Sequence, residues 1–271
     1  MKIYGLVLIK NEADIIASVL KSATEWCDKI IVFDNGSTDN TWQIVQELAQ
    51  TYKQIVPYIS DDAPFRIGLR SIIFNAFKDE MSNDDWWCIR MDGDEFYIDN
   101  PRDFLANIPR KYSHVYKDSF DYKLTREDLE EYDFIGDFEL DRDKIRYYEP
   151  WVWSEIRFLR HSNRLKWTSD EEILPRPYGL RYKKQIRVAH YKFRSPQQML
   201  VRYTIRKSAI EQNCGTFAHE LTKNCEDDYV LNRSDLIYDP QDGTYPTRGC
   251  GNKKTRVIFD IIKFFLAPFG Y

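Results

Sequence analysis

Trp86-Trp87-Cys88-Ile89-Arg90-Met91 is a short apolar run that ends abruptly in Asp92-Gly93-Asp94. A run of this length and character fits a strand covered on both faces, as in a parallel sheet. Two carboxylates flanking one glycine can both face a single crevice when the chain turns, and Gly93 lets backbone come close. Such a pair suits a hard divalent cation, Mg2+ or Mn2+, with positions left over for water and substrate phosphates. A cation there would neutralise charge building on a departing diphosphate. Asp-x-Asp by itself is a common acidic turn; its place at the end of an apolar strand gives it weight.

The same grammar repeats toward the N-terminus. Ile3 to Ile9 is a nearly continuous apolar run, followed by Ile15, Ile16, Val19 and Leu20 at helical spacing. Lys29 to Phe33 reads as a second strand. Asp34-Asn35-Gly36-Ser37-Thr38-Asp39 then supplies a turn and a cap for a helix carrying Trp42, Ile44, Val45 and Leu48. Ile55 to Ile59 is a third strand, and Ile67 to Phe77 a helix leading toward Trp86. Strands alternating with helices mean an α/β fold, with a mostly parallel sheet and right-handed crossovers. Ligands of such sheets bind outside the carboxyl ends of the strands. Three polar clusters fall there: Lys10-Asn11-Glu12, Asp34 to Asp39, and Asp92 to Glu95.

After Asn100 the pattern loosens. Further strands are expected around Val115 and Tyr116, over Ile156 to Leu159, and over Ile186 to Ala189. From Pro196 the chain reads as helical through Met199, Leu200, Tyr203 and Ile210, and Asn213 to Gly251 is polar and weakly patterned.

The 271 residues suffice for one large α/β domain or two small ones. Net charge is only -4, which does not call for a nucleic-acid partner. The charge is unevenly spread. Acids dominate from Glu127 to Asp143, whereas between Glu172 and Glu211 there is none, and Arg176, Arg187, Lys192, Arg194, Arg202 and Arg206 are among the bases that crowd in. The basic stretch reads either as positive potential for a phosphate-rich ligand or anionic surface, or as a solvated face partnered by the acidic one. The five cysteines are widely spaced and form no Cys-x-x-Cys pair, so free thiols in a reducing compartment are expected. Met1 to Ile9 is too short for a signal segment, and no apolar run has the length of a membrane span. The chain reads as cytoplasmic.

Lys10-Asn11-Glu12-Ala13-Asp14-Ile15, Asp34 to Asp39, and Asp92-Gly93-Asp94-Glu95-Phe96 together resemble family 2-type glycosyltransferases of the GT-A fold. His190-Tyr191-Lys192-Phe193-Arg194-Ser195 is similar to the His-Tyr-x-x-Arg-Ser element found late in one branch of that family. The resemblance implies a Rossmann-like GT-A domain over residues 1–195 and a helical C-terminal extension, 196–271, packed on it. It also implies a nucleoside diphosphate sugar as donor, Mn2+ or Mg2+, and a glycan or glycolipid acceptor. By position, Asp34 would contact the base, and Asn11 and Glu12 would line the same pocket. Arg70, followed by Asn75, resembles an Arg of the family's pocket helix, though the spacing to the Asn departs from the usual form. Asp92 would touch ribose and metal, and Asp94 would be the main metal ligand. His190 would be a third ligand, because imidazole suits Mn2+ better than Mg2+, or else a structural histidine at a strand end. Arg194, with Lys192, would stabilise the diphosphate.

An inverting transfer also needs a base for the acceptor hydroxyl. The family places an acid shortly before the His-Tyr element, here within Thr168-Ser169-Asp170-Glu171-Glu172-Ile173-Leu174-Pro175. Glu172 aligns best with the usual Glu-x-aliphatic pattern, with Asp170 and Glu171 close behind; Glu171 stands where a His is usual. The alternative is an exposed acidic turn. The apolar tail, Thr255 to Leu266, either packs on the domain or lies as an amphipathic helix at the inner face of a membrane. Surface-glycan synthesis is the setting the family implies. The rival from another class is a non-catalytic nucleotide- or sugar-binding module on the same scaffold. A nucleotidyltransferase would carry a Gly-rich basic loop after the first strand, which Lys10-Asn11-Glu12 is not.

Overall fold

Ile3–Ile9 forms strand β1, buried along its whole length. The protein's computed structural model describes residues 1–211 and 230–246. Side chains alternate along a strand, so β1 feeds two cores. Ile3, Val7 and Ile9 enter one, and Tyr4, Leu6 and Leu8 enter the other. The first core is closed by Ile16, Val19 and Leu20 of α1 (Ile16–Ala23) and by Val45 of α2 (Thr41–Thr51). The second is closed by Ile73 and Phe74 of α3 (Arg70–Phe77), with Trp87 and Trp167. Each large apolar side chain contributes about 1.5–3 kcal/mol when fully buried. A strand with no polar face therefore demands helices on both sides, and three layers result.

β2 (Lys29–Asp34) and β3 (Ile55–Ser60) lie on one side of β1, and β4 (Trp86–Met91) lies on the other, all parallel. Chain order reverses beside β1, which opens a crevice there. Ile9 stands opposite Asp34 and Val7 opposite Met91. The chain thus leaves β1, β2 and β4 at one edge, into the three polar clusters.

The mostly parallel sheet expected from the sequence holds for these four strands and then gives way to mixed pairing. β8 (Ile156–Arg160) runs antiparallel to β4, β6 (Tyr112–Lys123) antiparallel to β8, and β7 (Tyr147–Pro150) antiparallel to β6. β10 (Ile186–His190) is parallel to β6 and antiparallel to β5 (Glu95–Tyr97), and the short β9 (Leu180–Arg181) is parallel to β6. Parallel neighbours usually need a full crossover helix. α4 (Pro101–Ala106) precedes β6, and between β6 and its parallel partners the α-helices are only α5 (Arg126–Glu131) and α6 (Phe138–Asp141), each under two turns long.

The expected helical extension is helical in α7 (Pro196–Glu211), whereas residues 230–246 hold only one 3-10 turn, Arg233–Asp235. They lay β11 (Ile237–Tyr238) against β7, and Leu231 bridges to Thr125, so this segment continues the sheet. The apolar tail and Cys214, Cys225 and Cys250 lie outside the described residues. Cys27 and Cys88 are buried free thiols. Among the described residues no helix is long and apolar enough to cross a membrane.

Candidate active site

Asn11 adopts the left-handed conformation, φ 55°, which Asn tolerates better than most residues. That turn aims its groups at the loop after β2. Its amide N–H donates to Ser37 Oγ at 2.9 Å, and its Oδ1 accepts from the Thr38 amide at 2.7 Å. The Glu12 amide donates to Thr41 Oγ1 at 2.8 Å. Asp34, almost wholly buried, accepts from the Ser37 amide at 3.1 Å and Ser60 Oγ at 2.9 Å. The β4 loop closes on the same place. A Cβ on Gly93 would sit 2.9 Å from Ile9 Cγ2 and 3.6 Å from Glu12 Cγ, so only glycine allows this approach. Asn11, Glu12, Asp34 and the Asp92–Asp94 turn are thus brought together at one edge.

Asp94 and His190 meet across that edge. His190 Nε2 is 3.2 Å from Asp94 Oδ2, and its Nδ1 is 3.2 Å from Asp121 Oδ1. Burial disfavours the imidazolium, yet Asp94 and Asp121 outweigh it and push His190 up to about 9. Burial would likewise raise the Asp94 carboxyl, but His190, then Arg202 and Arg194, hold it well below the usual range. Arg202 of α7 reaches Asp94 Oδ2 at 3.5 Å. Among the described residues no three His, Cys, Asp or Glu side chains stand as a ready metal cage. The donor chemistry of Asp94 and His190 nonetheless fits a divalent cation. The imidazole's far nitrogen is held by a carboxylate, the arrangement that usually orients a ligating histidine.

Asp92 is held by arginines. Arg70, the first residue of α3, places Nη2 2.8 Å from Asp92 Oδ1, and Arg157 of β8 places Nη1 3.1 Å from Oδ2. Burial brings Arg70 down to about 10, partly offset by Asp92. Arg157, 0% exposed, also bonds Glu95 at 3.0 Å and Glu155 at 2.9 Å, and donates to the Arg90 carbonyl. Lys117 contacts Glu95 closely and lies 3.5 Å from Glu155. Sequence reasoning missed Asp121 and Arg157 here, and named Glu95 only within the cluster after β4. The available signal was a charge inside an apolar strand, since a buried charge demands a partner.

Arg194 sits elsewhere than on an open diphosphate site. It is 1% exposed and clamps Glu12 Oε2 at 2.6 Å and Asp14 at 2.7 and 2.8 Å. Burial lifts the Glu12 carboxyl to about 7 against the opposing pull of Arg194.

The acidic segment packs on the other flank. A Cβ on Gly68 would fall 2.2 Å from the Asp170 carbonyl and 2.4 Å from that of Glu172, so the loop rests directly on glycine, two residues before Arg70. Glu172 Oε2 accepts from the Thr168 amide at 2.9 Å and Oγ1 at 3.1 Å. These Thr168 bonds lower its pKa. Asp170 pairs with Arg66 at 3.2 Å, with Glu171 at 3.8 Å from the same arginine. The segment borders the site through Gly68 and Arg70, while its carboxylates bond Thr168 and Arg66 rather than Asp92, Asp94 or His190.

Acidic and polar loops thus gather at a switch point of the α/β sheet, the place where such sheets bind their ligands. Residues 6–132 match the family described as Glycosyl transferase family 2. Over this part, just under half of the chain, the protein is similar to family 2 glycosyltransferases, and its mixed α/β sheet with flanking helices is consistent with the GT-A fold. The match includes Asn11, Glu12, Asp34, Arg70, Asp92 and Asp94, and ends before Asp170, His190 and Arg194. Among curated proteins nothing matches. One similar solved structure is the mannosyltransferase PcManGT from Pyrobaculum calidifontis in complex with GDP-Man and Mn2+, at 18% identity and a TM-score of 0.31. The similarity covers 46% of this chain and 36% of that one, so this chain spans well under two thirds of that protein.

Proposed function

We propose that the chain catalyses metal-dependent, inverting transfer of a sugar from a nucleoside diphosphate sugar to an acceptor hydroxyl. The observation that carries this is the His190 ring held between Asp94 and Asp121 at the carboxyl edge of the sheet. Asp94 and His190 would hold Mn2+ or Mg2+, with Asp92 beside them and Asp121 fixing the imidazole. The cation would offset charge on the diphosphate as it leaves. Asp34, Asn11 and Glu12 form the wall for the nucleoside. Arg70 holds Asp92 in position. Arg194, engaged by Glu12 and Asp14, shapes that wall, and Arg202 beside Asp94 is the better placed cation for the phosphates.

Glu172 takes the acceptor proton on its carboxylate after releasing Thr168, with Asp170 and Glu171 as the other candidates. Residues 1–195 are the catalytic unit, and the described residues beyond 195 extend it through α7 and β11. By the family's expectation the acceptor is a glycan or glycolipid in surface-glycan synthesis at the cytoplasmic face of a membrane.

Calorimetry with UDP and GDP, with and without Mn2+, tests the reading alongside a hydrolysis screen of nucleotide sugars. Metal-dependent nucleotide binding and turnover support it. Nucleotide binding indifferent to metal, without turnover, favours a non-catalytic module instead. Asp94→Ala abolishes turnover; activity near the wild-type level in that variant refutes the metal assignment.

A further inference from the structure

Behind β5 and β10 lies a cleft of about 430 Å3. Register places Glu95 opposite His190 and Phe96 opposite Ala189, and side chains alternate. His190 therefore faces the proposed transfer centre, whereas Phe96 and Ala189 face the cleft. None of Asp34, Asp92, Asp94 or the acids at 170–172 lines it.

Its walls are aromatic and set in place. Tyr191 stacks on Tyr122 with ring centres 4.4 Å apart and meets Phe96 edge-on at 5.8 Å. The Tyr245 and Tyr122 hydroxyls are 2.9 Å apart. The rim is polar and of mixed sign. The Arg142 guanidinium stands 5.6 Å from the centre of the Phe96 ring, and Gln241 Nε2 is 3.5 Å from Asp143 Oδ1. The Gln241 amide donates to Asp239 Oδ1 at 2.7 Å. Gln241 and Gly243, at φ 60° and 79°, fold the lip back. Among the described residues a Cβ on Gly243 would meet nothing within 4 Å, so they leave the mouth open on that side.

A pyranose offers an apolar C–H face and a belt of hydroxyls. It fits ring walls rimmed by forked donors and acceptors. The cleft's volume lies within the roughly 300–1,000 Å3 of small-molecule pockets. Arg142 set against Asp143 and Asp239 selects neither an anion nor a cation. We propose that this cleft binds a neutral hexose, as a unit of the acceptor glycan remote from the sugar being transferred. The word acceptor rests on the glycosyl-transfer reading; the sugar binding does not.

Saturation-transfer NMR on the full chain tests it, with methyl α- and β-glucosides, galactosides and mannosides as probes. The rim variants are Arg142→Met and Gln241→Ala, both at exposed positions, so that one remains informative if the other fails to fold. At least one glycoside should bind, with affinity falling about tenfold in a folded rim variant, and it should bind together with UDP or GDP. No binding by any of the glycosides, binding indifferent to both variants, or competition with the nucleotide overturns the proposal. Glycoside binding in a protein that binds no nucleotide would sink the transfer reading and leave the cleft standing.

Discussion

Arg157→Met should destabilise the protein by about 3 kcal/mol, the low end of the ~3–5 kcal/mol for breaking a buried ion pair. The count of neighbours sets that magnitude. Three carboxylates, Asp92, Glu95 and Glu155, share four cations, Arg70, Arg90, Lys117 and Arg157. After the substitution Asp92 keeps Arg70, Glu95 keeps Lys117, and Glu155 keeps Arg90, so no buried carboxylate is left without a cation. What is lost is the fork that ties them together, at 3.1, 3.0 and 2.9 Å. For a chain of this size, roughly 2–4 °C per kcal/mol converts the loss to a Tm about 6–12 °C lower. Urea unfolding followed by far-UV circular dichroism at pH 7.5 measures it. Arg157→Lys should recover less than half, because one ammonium cannot serve three acceptors as a guanidinium does. A loss under about 1 kcal/mol, or a lysine variant equal to wild type, would refute the view that this fork holds Asp92 in place.

Gly68→Ala drives a methyl into the Asp170 and Glu172 carbonyls. It should alter Trp167 fluorescence and lower turnover roughly 10²-fold, with nucleotide affinity little changed; wild-type turnover would detach the acidic segment from the chemistry. Arg194→Met leaves Glu12 and Asp14 without their clamp and should weaken nucleotide binding, with Arg194→Lys in between; equal affinities in all three proteins would show that the clamp does not shape the pocket. Burial pushes the Cys88 thiol up to about 12 and that of Cys27 up as well. Peptide mapping after iodoacetamide at pH 8 should therefore find both unmodified in the folded chain, and rapid alkylation of either would contradict their burial.

The first half of the fold was legible because its strands have no polar face. β1 and β4 begin and end where the apolar runs do, and the polar loops after β1, β2 and β4 converge as the alternation of strands and helices requires. The second half was not, because its pairings are long-range. Nothing local in Tyr147–Pro150 or Ile237–Tyr238 announces that they pair with each other. α5 could have been found, since Thr125 and Asp128 form a capping box. The acidic loop's seat on Gly68 could not, because it depends on two segments about a hundred residues apart.

The same long-range logic answers the puzzle of the basic stretch. Acids of 127–143 find bases elsewhere, Asp128 and Glu131 on Arg233 and Asp141 on Lys144. Three bases of the stretch instead reach back to the first hundred residues: Arg187 to Asp99, Arg194 to Glu12 and Asp14, and Arg202 to Asp94. Acidic loops crowded at one sheet edge repel one another, and in a partly buried place that repulsion is poorly screened. Cations delivered by β8, β10 and α7 offset that repulsion, and at Asp92 and Asp94 they help hold the carboxyls below the usual range against burial. The late segments thus do more than cover the sheet. They set the charge around Glu12, Asp14, Asp92, Asp94 and Asp99, acids supplied much earlier in the chain, and replacing Arg202 or Arg194 should be felt at Asp94 although neither residue lies near it in sequence.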